Sequence, residues 1–349
     1  MSKMWRSEFF FRTSLIAIII LAITGCSQKG RNQDKDSFTI EFPETENLSW
    51  EIIPSDEIIP FPDDVMARDS VIIVLGNLDN SWIHLYDKRT GAPLQSYVGY
   101  GEGPEEIICA CNAVINQDGE ISISDLMTDK IIKLKRDFTT EDVWNVREIA
   151  PHLSGAWQLR EDKWLIDHFI PKDHILHHNM KIIDFSSPEK IIFSYEIKAE
   201  DLNVNPMMLM RVPKGTVSPD GQHFARGIGT GCILQIFDIK DDRIIPKKSE
   251  VYFEPEFDEE GNTDPFPVRG FTSLTATDKY IIGSYGGTRS DFEVNKIGIW
   301  DWNGNPVKLI QTDGSIFRLA LDESEGMLYA VLLQENEERA LAKMKISLN

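Results

Sequence analysis

The chain has 349 residues, with 36 Lys or Arg against 56 Asp or Glu, so its formal net charge at pH 7 is −20. An acidic surface of this kind repels phosphate backbones, which argues against nucleic acid as a partner. Hydrophobic residues make up 42% of the chain, which is enough for a sizeable core.

The first 25 residues have the pattern of a secretory signal peptide. A basic start with Lys3, Arg6 and Arg12 precedes an uninterrupted apolar run from Leu15 to Ile23. A helix of that length rises only about 14 Å. This is under half of a hydrocarbon core of roughly 30 Å, so the run is too short for a stable membrane span. A basic start, a short apolar run and small residues at its end predict export and removal of residues 1–25.

The end of the apolar run resembles a bacterial lipobox. Ile23, Thr24 and Gly25 precede Cys26, in the order of aliphatic, small and glycine residues that marks a cysteine for diacylglycerol transfer. We therefore predict a lipid anchor on Cys26, a polar flexible tether over 26–37, and residence in the cell envelope. The anchor would lie in the outer or inner membrane, with the protein facing the periplasm or the exterior. The alternative is an ordinary signal peptide with a chance cysteine.

Three further cysteines, Cys109, Cys111 and Cys232, give no even set for a disulfide framework. Cys109 and Cys111 would share one face of a strand, and we interpret them as small buried hydrophobic residues. A lone C-x-C lacks the second pair of a zinc site. We expect neither a metal nor another cofactor.

One strand-like pattern recurs along the exported part. A β-branched or aromatic run ends at a polar residue, often Asp, followed by a turn. The last positions of the six copies are Asp87, Arg136, Asp184, Asp238, Asp301 and Lys345, at spacings of 44 to 63 residues. A second run precedes each copy, as in DSVIIVLG (69–76) and DKYIIGSY (278–285), and a short run often follows, as in PLQSYVG (93–99).

About four strands per copy predict propeller blades, because stacking blades in a ring covers both faces of each small sheet. We predict an all-β, six-bladed propeller over 38–349, closed by FTIEF (38–42) or WEIIP (50–54) as the outer strand of the last blade. The Pro-rich, acidic stretch 254–270 is interpreted as an insertion between blades four and five. The alternative is a pair of β-sandwiches or a solenoid. We expect a monomer.

A family resemblance supports this fold. The segment YVGYGEGPEE (97–106) resembles the G-x-G-P-x-E link between the first two blades of the TolB-like six-bladed propeller lipoproteins of Bacteroides-type bacteria. DSVIIVL and IHLYDKRTG upstream, and GFTSLTATDKYIIGSYGG downstream, lie in similar places. The resemblance implies an extracytoplasmic propeller without a known activity. Glu102 stands where the family usually has a basic residue, so a basic role at this position is not carried over.

Polar clusters give no recognisable catalytic set. Four of the seven histidines lie at 168, 174, 177 and 178, close to Asp167 and Asp173. A metal site is possible there, but without H-E-x-x-H spacing we favour an exposed histidine-rich loop. DEEGNTD (258–264) lacks the spacing of a calcium loop and is interpreted as a solvated loop. In the link 99–106 we expect glycines at positive φ rather than a phosphate cradle.

Arg211, Arg269 and Tyr285 lie in or beside predicted inter-blade loops of a chain short of basic residues. They are candidates to hold an anionic or sugar ligand by guanidinium hydrogen bonds and aromatic stacking. The alternative is arginines in ordinary surface ion pairs. The sequence thus favours a membrane-anchored binding or scaffold propeller for an envelope glycan, peptide or protein. The second hypothesis is a metal-assisted hydrolase, lactonase or lyase acting at the channel mouth.

Overall fold

The structure is a computed structural model that describes residues 35–55, 58–172, 175–187, 190–210, 212–290, 293–334 and 336–348. Residues from Lys35 onward form one compact unit. The predicted signal peptide, the lipobox and Cys26 lie outside the described residues. No helix in the described ranges is long and apolar enough to cross a membrane.

The described chain is built almost wholly of strands. Its helices are α1 (Ala199–Leu202) and a 3-10 turn at Pro206–Met210. Blade one comprises β3 (Asp64–Arg68), β4 (Val71–Leu78), β5 (Ser81–Asp87) and β6 (Pro93–Gly99). Blade two comprises β7 (Ala110–Ile115), β8 (Ile121–Asp125), β9 (Lys130–Leu134) and β10 (Thr140–Asn145). Blade three comprises β11 (Leu153–Arg160), β12 (Lys163–Lys172), β13 (Ile175–Asp184) and β14 (Ile191–Ile197).

Blades four to six follow the same plan. Blade four comprises β15 (Lys214–Val217), β16 (His223–Ile228), β17 (Cys232–Lys240) and β18 (Arg243–Phe253). Blade five comprises β19 (Phe271–Ala276), β20 (Tyr280–Tyr285), β21 (Lys296–Asp301) and β22 (Pro306–Thr312). Blade six comprises β23 (Ser315–Asp322), β24 (Met327–Leu333) and β25 (Arg339–Lys345). The first strand of each blade contacts the first strand of both neighbouring blades, from β3 round to β23 and back to β3. The six-bladed propeller predicted from the repeats is confirmed.

The ring is closed by the N-terminal segment of the domain. β2 (Glu51–Ile53) pairs antiparallel with β25 and supplies the fourth strand of blade six. This confirms WEIIP as the closing strand. β1 (Thr45–Leu48) adds a fifth strand to blade five, parallel to β22, which the strand count did not predict. Two sequence-distant strands therefore cover the edges of the last two blades.

In blades one, three and five the recurring polar residue is the last residue of the third strand, and its side chain explains the repeat. The Asp87 carboxylate accepts hydrogen bonds from the backbone N–H groups of Arg89 and Thr90 and from the Thr90 hydroxyl. Asp184 and Asp301 hold the equivalent turns of blades three and five in the same way. The sequence signature is thus a side-chain cap on the turn from third to fourth strand.

The two ends of the ring differ in their connections. We call one end the loop face: it carries the links between blades and the loops from second to third strand. The other end is the turn face, which carries the turns from first to second and from third to fourth strand. Turn-face connections are two to six residues long, whereas the links between blades run from two residues (313–314) to seventeen (254–270).

The glycines of the link between blades one and two contradict one sequence expectation. Gly99, Gly101 and Gly103 are not among the residues at positive φ. Their role is close approach, because the Glu106 carboxylate accepts a hydrogen bond from the Gly103 N–H, and a Cβ on Gly101 would lie 2.1 Å from its Oε2. Lys130 fastens the same link by donating to the carbonyls of Gly103 and Glu106.

Candidate functional site

A cavity of about 720 Å³ lies within the ring, between the first strands. All six blades contribute to its wall, and its lining extends to the turns between first and second strands, at the turn-face end of the lumen. A carboxylate side chain stands in each of these six turns: Asp69, Asp118, Glu161, Asp220, Asp278 and Glu323. The volume is in the range of small-molecule sites.

A layer of charged side chains crosses the lumen at the loop-face end of the cavity. We call Asp63, Asp64, Lys214 and Arg318 the lumen layer. The Lys214 amine donates to the backbone carbonyl of Asp63 at 3.2 Å, so its side chain reaches from blade four to blade one, which lies opposite in a ring of six. Arg318 donates to the same carbonyl from Nε at 2.8 Å, and its Nη1 bonds the carbonyl of Phe317 at 2.7 Å.

Among the described residues, no carboxylate oxygen lies within 4.0 Å of the Lys214 amine or the Arg318 guanidinium. Burial lowers the pKa of Lys214 to about 8, with repulsion from Arg318 adding to the effect. Burial also raises the pKa of Asp64, against the attraction of Lys214 and Arg318. The layer therefore combines hydrogen-bond donors and acceptors whose charges are poorly solvated, which is typical of groups that bind ligands or take part in chemistry.

Cys109 and Cys111 lie beside the lumen layer. Burial raises the pKa of both thiols, and the raised value keeps Cys111 protonated at neutral pH. Its Sγ donates to the carbonyls of Ser124 and Leu153 at 3.4 and 3.5 Å. A protonated, hydrogen-bonded thiol is a weak nucleophile, so covalent catalysis by Cys111 has no support here.

The structure does not bring the three predicted ligand-binding residues together at the lumen. Arg211 lies outside the described residues. Arg269 is half-buried in the link to blade five, where its backbone bonds Thr288 and Gly287. Tyr285 is 1% exposed and packs among Phe38, Phe271 and Trp300, so its ring presents no face for a sugar to stack on. Ligand binding by these residues stays a prediction, and for Tyr285 it would require the ring to leave the core.

The expected exposed histidine-rich loop is wrong for two of its members, because His168 and His178 are fully buried. Asp173 and His174 lie outside the described residues, and His177 is half-buried beside Glu196. His178 Nδ1 lies 2.9 Å from the Asp167 carboxylate between blades three and four. β13 places His178 in the core because its alternate residues face blade four, together with Met180 and Ile182.

Arg226, which the sequence did not single out, completes this buried network from β16. Its guanidinium lies 3.8 Å from the second oxygen of Asp167, and both side chains are fully buried. Burial alone would raise the pKa of Asp167, but Arg226 and His178 outweigh it and hold the pKa below its usual value. Nothing in the strand pattern distinguishes Arg226 from an exposed arginine, since its partner lies 59 positions away in the chain.

Metal ligation is the remaining chemical possibility at these sites. In the described ranges, no group of three or more His, Cys, Asp or Glu side chains is arranged to hold a metal ion. In the lumen layer, the positive charges of Lys214 and Arg318 oppose a cation. The donor set of the lumen layer thus fits a polar or anionic ligand better than a metal.

Comparison with known proteins supports the fold alone. No protein-family model and no curated protein matches the chain. Among solved structures, a protein of Bacteroides fragilis called "Putative exported protein" matches with a TM-score of 0.54 and 13% identity over 85% of this chain and 93% of its own.

Two other propellers are similar. Regucalcin of Agrobacterium tumefaciens, a calcium-binding protein, has a TM-score of 0.52 and 10% identity, covering 87% of this chain and 95% of its own. The Cps50 (Swd1) β-propeller domain of Myceliophteria thermophila has a TM-score of 0.50 and 11% identity, covering 85% of this chain and all of its own. Identities this low establish a shared propeller architecture.

Proposed function

We propose that the protein is an extracytoplasmic binding module of the TolB-like kind, anchored to a membrane by lipid on Cys26, whose propeller holds a polar ligand in its lumen. The ligand is an acidic glycan or the carboxylate-bearing end of a peptide. The observation that carries the proposal is the lumen layer, where Lys214 and Arg318 cross the channel with no carboxylate oxygen of the described residues within 4.0 Å.

The cavity supports this choice by its size. A volume of about 720 Å³ accommodates a few sugar rings or a short peptide end. Donors on Lys214 and Arg318 could bond carboxylate or hydroxyl oxygens. The likeness to the Bacteroides fragilis protein and the lipobox-like sequence at Cys26 support the extracytoplasmic location.

The binding proposal is tested by thermal melting of the mature chain with acidic and neutral glycans, short peptides, calcium, zinc and EDTA. A ligand that binds only the folded state raises stability by RT ln(1 + [L]/Kd), so binding appears as a rise in Tm. We expect a rise with an acidic glycan or peptide that disappears in Lys214→Met and Arg318→Met. Lys345→Met removes a similar charge at the exposed end of β25 and serves as the matched control.

The outcomes separate the two functional hypotheses. A Tm that falls with EDTA and returns with one metal would favour the metal-assisted hydrolase, lactonase or lyase. A ligand shift that survives both lumen substitutions would move the site away from the lumen layer.

The anchor is tested separately in cells fed a labelled fatty acid. We expect label on the wild-type chain and on Cys232→Ala, and none on Cys26→Ala. Label on Cys26→Ala, or none on wild type, would overturn the anchor.

A further inference from the structure

Exposed apolar side chains are distributed unequally between the two faces of the ring. Among the described residues, six large hydrophobic side chains that are 44–70% exposed lie in loop-face connections: Ile58, Phe61, Tyr100, Met127, Val212 and Phe266. The other exposed large hydrophobic side chains, such as Leu94 and Ile245, lie on outermost strands. The described turn-face connections contain none.

These six residues come from five different connections spread round the ring. Ile58 and Phe61 precede blade one, Tyr100 precedes blade two, Met127 lies in the second-to-third-strand loop of blade two, and Val212 and Phe266 precede blades four and five. Scattered single apolar residues are normal on a protein surface, but here the ones in described connections all lie at one end of the ring. A partner that touches all of them must be broad and flat.

The polypeptide enters the domain on this same face. Lys35 pairs with Glu256 in the link between blades four and five, and Asp36 pairs with Arg289 in the loop from second to third strand of blade five. Phe38 then donates its N–H to the carbonyl of Gly287 in that loop. Both connections belong to the loop face, and Arg289 also bonds the carbonyl of Phe266.

Only eight residues, 27–34, lie between the predicted lipid attachment point, Cys26, and Lys35. Whatever their conformation, the nine Cα-to-Cα steps from Cys26 to Lys35 reach at most roughly 30 Å. We infer, on the basis of the proposed lipid anchor, that the loop face docks on the surface of the bilayer that holds the anchor. The six apolar side chains enter the lipid–water interface, and the turn face with the cavity is directed away from the membrane.

A short tether makes weak contacts effective. An anchored face meets the bilayer at a high effective concentration, so a few aromatic and aliphatic side chains suffice to orient the domain. Phe61, Tyr100 and Phe266 are of the kind that partition into a membrane interface. The loop face also carries carboxylates, including Glu102, Glu105 and Glu254, which anionic lipids would repel. The docking surface is therefore a zwitterionic lipid surface rather than an anionic one.

With the loop face on the membrane, the cavity stays accessible in the anchored protein. Its lining reaches the first-to-second-strand turns, which lie at the end of the ring opposite the entry of the chain. A glycan or peptide would approach from the aqueous side and reach the lumen layer from the turn face.

The test measures orientation on the full acylated chain in vesicles of phosphatidylcholine and phosphatidylethanolamine. A fluorophore is attached to Phe266→Cys on the loop face or to Lys279→Cys on the turn face, with Cys109, Cys111 and Cys232 replaced by serine or alanine. Nitroxide-labelled lipid headgroups quench nearby fluorophores. We expect quenching at position 266 to exceed that at 279 by roughly threefold or more, since an interfacial side chain lies within several ångström of the headgroups.

Two substitution pairs show whether the apolar side chains set this orientation. Ile58→Asp with Phe61→Asp should lower quenching at 266 by roughly half or more, because charged side chains avoid the interface. Ile191→Asp with Ile245→Asp places the same charges on outermost strands and should leave the quenching at position 266 unchanged. Anionic lipid should reduce the difference between 266 and 279.

The outcomes distinguish the orientation from the anchor. Mass measurement of each preparation reports the acyl chains, and a chain without them refutes the anchor and the inference together. An acylated chain with equal quenching at 266 and 279, or stronger quenching at 279, would overturn the docking of the loop face and leave the anchor intact.

Discussion

The loop face and the turn face are produced by the same repeat, yet they differ in what the sequence reveals of them. Turn-face connections are two to six residues long and are held by side-chain caps such as Asp87 and Asp301. Links between blades vary from two to seventeen residues and share no pattern. Geometry constrains the short turns to a few residue types, whereas the long links are free to carry properties specific to this protein.

Ion pairs of the interior differ in their burial. Asp167, His178 and Arg226 are fully buried between blades three and four, and Lys88 forms a second buried pair with Asp322 near the turn face. The pairs of Asp242 with Arg160 and Lys163, at the turn face, are partly solvated. Buried charge is costly to break, and solvated charge is not, so substitutions should separate the two kinds of pair.

The largest effect on stability is expected from the buried pair of Asp167 and Arg226. Asp167→Ala leaves Arg226 without a counter-charge in the core and should lower the free energy of unfolding by about 3–5 kcal/mol. The matched change at the turn face, Asp242→Asn, should cost at most about 1 kcal/mol, because its partners remain solvated. Both values come from urea unfolding of the purified chain. Equal costs at the two positions would remove the proposed contrast between buried and solvated pairs.

A smaller effect, which depends on pH, is expected from Lys214. Its folded-state pKa of about 8 is below the ordinary value of 10.5, so the unfolded chain binds more protons between these values. Stability should therefore rise with pH from about 8 to about 10.5, by at most roughly 3 kcal/mol, and the penalty should be fully present below pH 8. Lys214→Met should lack this rise, whereas Lys345→Met should retain it. The checking measurement is the Tm difference from wild type at several pH values; a constant difference for Lys214→Met would show that the amine is not desolvated.

The features of the fold that the sequence could predict are those encoded by local strand and turn patterns. Asp87, Asp184 and Asp301 recur because each caps the same turn, so the repeat, the blade number and the closing strand at Glu51–Ile53 could all be read from strand and turn chemistry. The strand count from the sequence did not predict β1, because a parallel edge strand needs no turn signature of its own.

The candidate site could not be predicted from the sequence for a related reason. Lys214 and Asp63 meet across the lumen although they are 151 positions apart, and no local pattern encodes that meeting. Tyr285 looked like a loop residue because Gly286 and Gly287 follow it, but it is the last residue of β20 and faces the core. Local patterns specify strands and turns, whereas the lumen is formed by residues that only ring closure brings together.

The smallest effect tests two different roles of glycine in the connections of this chain. Gly326, in the turn from first to second strand of blade six, has φ of +63°, and a Cβ added there would meet its nearest atom only at 3.6 Å. Gly326→Ala should therefore cost about 1 kcal/mol through backbone strain, and Gly326→Asn clearly less, since Asn tolerates the left-handed region. On the loop face, Gly103→Ala meets only the movable end of Glu106 and should cost within about 0.5 kcal/mol. Urea unfolding of the three variants decides the matter: a Gly103→Ala cost above that of Gly326→Ala would show that the link between blades one and two is the more constrained of the two.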